Sequence, residues 1–234
     1  MRLEGDTSAI TAPGQFINIK LDGHFLRRPI SVNDVTYDED KGCGCVTIIY
    51  KVLGHGTEEM THFGPGTRLD ILTGLGNGYD LSDAGDKPLL IGGGVGIPPL
   101  YLAAKMLRSA GKEVTVILGF NTEEEIYYID EFSELGCRVL AATADGSFGI
   151  KGFVTDAFDA DGCYTHFYTC GPEPMLKAVY NKVFKDAGVS GQMSFEERMG
   201  CGFGACMGCS CKTVTGYKRI CKDGPVLRTE EILW

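Results

Sequence analysis

PLLIGGGVGIPPLYLAAKMLRSAGKEVTVILGF, residues 88 to 120, contains a complete strand, turn, helix and strand. The apolar run 88 to 94 is too short for a helix and ends in glycines, as a buried strand does. From 99 to 111 the apolar residues take helical spacing, with Pro98 and Pro99 at the start and Gly111 as the stop. EVTVILGF, 113 to 120, returns to strand. Two strands joined by a helix predict a parallel pair with a crossover.

The same rhythm continues outward. EEEIYYIDEFSELG (123–136) reads as a helix, RVLAATA (138–144) as a strand and 151–159 as a shorter helix. THFYTCG (165–171) reads as a strand, PEPMLKAVYNKVFKDAG (172–188) as a helix and QMSFEE (192–197) as a last strand. Residues 87–198 are therefore expected to form a doubly wound α/β domain around a parallel sheet. Upstream, 1–86 carries β-like runs, QFINIKL (15–21) and VTIIYKVL (46–53), between turn clusters at 11–14, 38–44 and 64–66. That pattern predicts a small antiparallel barrel or sandwich. Past 198 glycine and cysteine displace the apolar pattern, which predicts a third unit, 199–234, held by something other than apolar burial.

The 234 residues are 44% hydrophobic and 23% charged, with a net charge of −9. This balance speaks against nucleic acid or anionic membrane as the main partner, since phosphate binding needs clustered Lys and Arg. No apolar run approaches the length of a membrane span, and MRLEGDTSAI lacks the order of a signal peptide. The expected location is the cytoplasm. In a reducing compartment, ten cysteines point to metal ligation or redox chemistry rather than disulfides, and five of them fall between 201 and 221.

Two turns carry the nucleotide signal. Gly92, Gly93, Gly94 and Gly96 in GGGVGIPP let backbone N–H groups approach a phosphate, although Ile97 stands where the GxGxxG fingerprint has its third glycine. Cys170, Gly171 and Pro172 in TCGPEPM occupy a second strand end; taken alone, Cys170 also reads as a small buried hydrophobe. Turns at the carboxyl ends of parallel strands form the crevice where open sheets bind ligands. Asn121, Thr122 and three glutamates follow EVTVILGF with no Arg or Lys among them, which favours NAD over NADP. The glutamates equally suit a helix N-terminus. In the first domain RRPIS (27–31) sets two guanidinium groups before a proline-fixed turn and YKVLGHGT (50–57) places a lysine before a glycine loop. An arginine with a hydroxyl suits a pyrophosphate, while an Arg pair on its own also reads as exposed surface charge.

Cys201, Cys206 and Cys209 follow a C-x4-C-x2-C spacing, and Cys221 comes after a possible hairpin. This is the plant-type [2Fe–2S] spacing, and it fits poorly the two short pairs usual for a four-cysteine zinc site. Cys211 is an extra thiol, because a bridge between Cys209 and Cys211 would be strained.

RRPIS, KVLGHGT, GLGNGYDL, LLIGGGVGIPPL, TCGPEPM and RMGCGFGACMGCSCK with KRICKDGPV together resemble the electron-transfer subunits of NAD-linked dihydroorotate dehydrogenases. Those belong to the ferredoxin reductase superfamily. The resemblance implies a flavin-binding β-barrel, a nucleotide-binding α/β domain and a C-terminal [2Fe–2S] domain. It assigns FAD to Arg28, Pro29, Ile30, Ser31, to Ile49, Tyr50 and Lys51 on the next strand, and to Gly56 and Thr57. It assigns the cluster to Cys201, Cys206, Cys209 and Cys221, NAD to the two glycine turns, and Cys211 to no role. It further implies that dihydroorotate reduces FMN in a separate catalytic subunit, two of each chain forming a heterotetramer. Electrons then pass through the cluster and FAD to NAD+, in pyrimidine synthesis. Only about ten residues precede Ala12, where the family carries a further β-segment, so the barrel is expected to lack its first segment. Leu75 also stands where a proline is common.

The small subunit of a sulfide dehydrogenase or ferredoxin:NADP oxidoreductase is a rival, but those relatives tend to carry an aspartate in place of Cys201. A non-catalytic flavin and thiol redox sensor and a zinc-stapled structural tail are alternatives of other classes.

Overall fold

The computed structural model describes residues 1–234. Five strands form the N-terminal sheet: β1 (Arg2–Gly5), β2 (Phe16–Ile19), β3 (Arg28–Asp38), β4 (Cys43–Ile48) and β5 (Ile71–Leu75), with a one-turn helix α1 (His55–Glu59). Their order is β1-β4-β3-β2-β5, and every pairing is antiparallel. β3 is long enough to pair with β2 at one end and β4 at the other, and its register shifts between Val32 and Asp34. The irregularity lets the sheet curl around Ile17, Ile19, Leu21, Val32, Val46 and Ile48, all buried.

The second sheet has seven strands, in the order Val226–Arg228, Gly191–Ser194, His166–Cys170, Pro88–Gly93, Thr115–Phe120, Arg138–Thr143 and Ile150–Lys151. In chain order its elements are β6 (Pro88–Gly93), α2 (Pro98–Ser109), β7 (Thr115–Phe120), α3 (Ile129–Glu134), β8 (Arg138–Thr143), β9 (Ile150–Lys151), β10 (His166–Cys170), α4 (Glu173–Val179) and β11 (Gly191–Ser194). The parallel strands β6 to β11 are flanked by cores on both faces. α2 buries Leu100, Ala103, Ala104 and Leu107, the i, i+3, i+4, i+7 positions of one face. Leu102, on another face, enters the core of the curled sheet, so one helix packs against both domains. Burying such a leucine contributes about 1.5–3 kcal/mol.

The remaining elements are the hairpin β12 (Ser210–Thr213) and β13 (Gly216–Arg219), then β14 (Val226–Arg228). β14 leaves the cysteine-rich unit and pairs antiparallel with β11, closing the edge of the large sheet. The core under α4 therefore runs without a break from Ile91 and Phe167 to Cys209, Ile220 and Cys221.

Several local expectations are corrected. Residues 151–159 form no helix; Ile150–Lys151 pair with β8 and turns follow. The helix expected over 123–136 is interrupted, because Tyr128 takes a left-handed conformation at φ 66°. RRPIS is not a turn: Arg28 and Pro29 open β3 opposite Ile19 and Asn18. Separately from these corrections, Arg2–Gly5 form β1, which pairs antiparallel with β4.

Candidate functional site

β6 lies between β10 and β7, and the chain runs from β6 to its two neighbours in opposite directions, so a crevice opens at the carboxyl ends of β6 and β10. GGGVGIPP and CGPEPM both sit there, with Gly92 registered against Cys170. The turns touch closely. A Cβ on Gly96 would strike the Cys170 carbonyl and lie 2.5 Å from the Gly171 nitrogen, and one on Gly93 would strike the Met175 sulfur. The glycines thus let the two turns pack backbone to backbone, while Gly94, with nothing within 4 Å of its Cβ position, leaves backbone open at the crevice, as approach of a dinucleotide requires. Cys170 is half-buried, and desolvation lifts its thiol to about 12, so it stays neutral.

The rim beyond β7 is acidic. Glu125 accepts hydrogen bonds from the Asn121 backbone N–H (3.1 Å) and side-chain amide (2.8 Å), and the Glu123 N–H donates to Ser147 Oγ (2.8 Å). Lys51 reaches this rim from the first domain, 4.0 Å from Glu125. Sequence spacing had no means of placing a lysine there.

The first domain presents a cradle centred on Arg28. Its guanidinium donates to the Leu26 carbonyl (2.5 Å) and bonds His24 Nδ1 (2.8 Å), while His24 Nε2 pairs with Glu59 (2.8 Å). Gly56 faces that guanidinium, and a Cβ there would collide with it. Thr57 Oγ1 accepts from the N–H groups of Leu53 (2.9 Å) and Gly54 (3.2 Å), ordering the glycine loop. Phe25, fully exposed, and Leu53, 77% exposed, give the cradle an apolar border. A cation with a glycine-bared loop and uncovered apolar side chains fits an aromatic ligand bearing phosphates. Pro29, Ile30 and Ser31 lie along β3 beside Arg28, whereas β4 ends at Ile48, so Ile49, Tyr50 and Lys51 follow the strand rather than lying on it.

The cysteine loop folds back on itself through glycines at φ +80° (Gly202) and +90° (Gly204). Cys201 Sγ accepts from the N–H groups of Ala205 (3.2 Å) and Cys206 (3.4 Å), and Cys206 Sγ from Cys201 N–H (3.4 Å). Cys209 Sγ accepts from Cys221 N–H (3.4 Å). The thiols therefore stand as two pairs, Cys201 with Cys206 and Cys209 with Cys221. No three Cys, His or acidic side chains converge as around a single ion. Two pairs of thiols with N–H donors aimed at sulfur fit a two-iron cluster better than one zinc ion. Burial opposes ionisation of Cys201, but the N–H groups of Cys206, Phe203 and Ala205 outweigh it and bring the thiol to about 6. Burial, with the hydrogen bond to Cys209, pushes Cys221 up to about 12.

Three supports had no signal in the sequence. Arg219 donates to the Gly204 carbonyl (2.9 Å) and grips Asp223 through two nitrogens (2.8 and 3.0 Å). Asn18 of β2 donates to the Cys201 carbonyl at 3.5 Å across 183 residues. Asn33 of β3 donates to Tyr128 Oη at 2.8 Å.

Residues of the first domain, the second crevice turn and the cysteine unit line one hollow of about 1110 Å³, among them Arg28, Pro29, Gly171, Pro172, Met199 and Cys211. Cys211, half-buried on β12, faces this hollow and joins neither thiol pair.

A curled antiparallel sheet, a nucleotide-type parallel sheet and a ferredoxin-like cysteine loop define a reductase of the ferredoxin reductase class. A solved chain from work on NADH-dependent reduced ferredoxin-NADP oxidoreductase superposes with a TM-score of 0.83 at 33% identity, covering 98% of this chain and 83% of that one. Residues 90–181 match the oxidoreductase NAD-binding domain family, and residues 196–233 match the iron-sulfur cluster binding domain of dihydroorotate dehydrogenase B. The electron transfer subunit of dihydroorotate dehydrogenase B (NAD(+)) from Fusobacterium nucleatum is 42% identical, over 99% of this chain and 91% of its own. Its counterpart from a Geobacillus strain is 43% identical, over 96% and 88%. The chain belongs to the family of dihydroorotate dehydrogenase B electron transfer subunits.

Proposed function

We propose that this chain takes electrons from an FMN-containing dihydroorotate dehydrogenase catalytic subunit and delivers them to NAD+, serving the oxidation of dihydroorotate to orotate in pyrimidine synthesis. The observation that carries this reading is the single hollow shared by Arg28 and Pro29, Gly171 and Pro172, and Met199 of the cysteine unit. One cavity walled by all three units is what a chain of electron carriers needs.

The division of labour follows the residues. Arg28, Pro29, Ile30 and Ser31, with Ile49, Tyr50, Lys51, Gly56 and Thr57, hold FAD in the unit 1–86. Gly92, Gly93, Gly94, Gly96, Cys170, Gly171 and Pro172 hold NAD in the unit 87–198. Cys201 with Cys206 and Cys209 with Cys221 hold the [2Fe–2S] cluster in the unit 199–234. When bound, the cluster supplies one-electron transfer, NAD+ accepts hydride and FAD does both, which fixes the flavin as the middle carrier. The protein's own task is orientation and exclusion: Arg28 neutralises phosphate charge, the interlocked glycine turns bare N–H groups, and the N–H donors around Cys201 stabilise thiolate.

The cysteine loop also supports a partner contact. Phe203 and Met207 are 54% and 53% exposed beside the exposed Cys206, an apolar tip that a catalytic subunit would cover. Two chains of each kind make the complex. No helix is long and apolar enough to cross a membrane, and the cytoplasm is the proposed location. Anaerobic additions test the assignment: NADH should bleach the flavin of the purified chain and dihydroorotate should not. Reduction by dihydroorotate without a catalytic subunit would overturn it.

A further inference from the structure

Tyr127 and Tyr128 lie where the chain between β7 and α3 breaks from helical geometry. Tyr128 occupies the left-handed region at φ 66° and ψ 10°, a conformation that disfavours a side chain. Surrounding contacts hold it there. Its hydroxyl accepts from Asn33 of the first domain at 2.8 Å, and its ring meets Tyr101 and Phe132 edge-on at 5.0 and 6.2 Å. Lys105 and Asp34 pair beside it at 2.8 Å, so this is also where the first two domains are joined.

The break sends the two neighbouring side chains to different targets. Tyr128 points at β3, while Tyr127 donates a hydrogen bond to the Gly94 carbonyl at 2.7 Å. Tyr127 is itself braced edge-on by Phe120 at 5.9 Å and Tyr128 at 5.8 Å. Gly94 sits at φ +50° with nothing within 4 Å of the position a Cβ would take, so no side-chain packing fixes its conformation. Within its turn the carbonyl also accepts from Ile97 N–H at 3.1 Å; Tyr127 supplies the bond from outside. The carbonyl of Gly94 and the N–H of Val95 share one planar peptide. Anchoring the first therefore sets the direction of the second.

We infer that Tyr127 is a positioning residue for dinucleotide binding, holding the Gly94–Val95 peptide of the glycine turn in the orientation that receives the phosphates. The inference rests on the proposed NAD site. It assigns a role to a residue outside both glycine motifs.

The test compares wild-type holoprotein, Tyr127→Phe and Tyr128→Phe. NADH affinity is measured by titration calorimetry, and KM and kcat are measured with ferricyanide as acceptor. Removing the Tyr127 hydroxyl should weaken NADH binding and raise KM about three- to tenfold, the scale of one hydrogen bond, with kcat, flavin and iron content near wild type. Tyr128→Phe, which keeps the ring that braces Tyr127 and removes only the bond from Asn33, should leave NADH affinity unchanged. Wild-type affinity in Tyr127→Phe would overturn the inference. So would loss of flavin or iron in that variant, which would make the role a general structural one. Failure of the wild-type protein to bind NADH would instead overturn the NAD site itself.

Discussion

Replacing Gly96 by alanine tests whether the two crevice turns work as one interlocked surface. The added Cβ would lie 2.5 Å from the Gly171 nitrogen and closer still to the Cys170 carbonyl. Ordinary contact begins near 3.4 Å, so the turns must part by about 1 Å, and backbone on both sides leaves no flexible side chain to yield. Overpacking of this kind costs about 1–3 kcal/mol of stability. In a chain of this size that lowers Tm by roughly 2–12 °C. A displacement of about 1 Å at a positioning surface lowers turnover on the order of a hundredfold. The assay is NADH:ferricyanide reductase kcat/KM on protein whose flavin and iron have been counted. Gly64→Ala, with nothing within 4 Å of its Cβ position, serves as the control and should match wild type. If Gly96→Ala keeps wild-type kcat/KM with full flavin and iron, the interlocked turns do not hold the dinucleotide.

Two further outcomes separate the thiols and the buried histidine. Cys211→Ser should keep its iron and visible spectrum while Cys206→Ser loses both, because Cys211 belongs to neither thiol pair; iron analysis of the two variants decides. His166 is buried beside Tyr168 and Gln192, facing Asp80, Asp83, Glu230 and Arg228, and desolvation lowers its pKa below 6.5. Between the two values the unfolded chain binds the proton and the folded chain does not. Its contribution is therefore fully present above about pH 6.5 and is lost as pH falls through the lowered value. Tm recorded between pH 7.5 and 5.5 should decline in wild type and decline less in His166→Gln; equal slopes would contradict the assignment.

The architecture was legible wherever local pattern and burial agree. The alternation from 88 to 120 specified the parallel sheet, because a buried strand and an amphipathic helix each carry their own period. Spacing likewise singled out Cys201, Cys206, Cys209 and Cys221. What stayed hidden depends on distant chain. Val226–Arg228 is three residues in a cysteine-rich tail, and only its partner β11 makes it a strand. EEEIYYIDEF has helical composition throughout, yet contacts from Asn33 and Tyr101 hold Tyr128 out of the helix. Asn18 and Cys201 meet through folding alone. Residues 151–159 show the reverse case, where helical composition yielded to pairing of Ile150–Lys151 on the sheet edge and to turns.

The central claim is that one chain carries a two-iron cluster and a flavin in electronic contact with NADH. Protein purified without oxygen should contain two irons, two sulfides and one FAD per chain, and a single addition of NADH should bleach both the flavin and the cluster absorption. A colourless protein, zinc in place of iron, or a cluster that stays oxidised while the flavin is fully reduced would contradict the account.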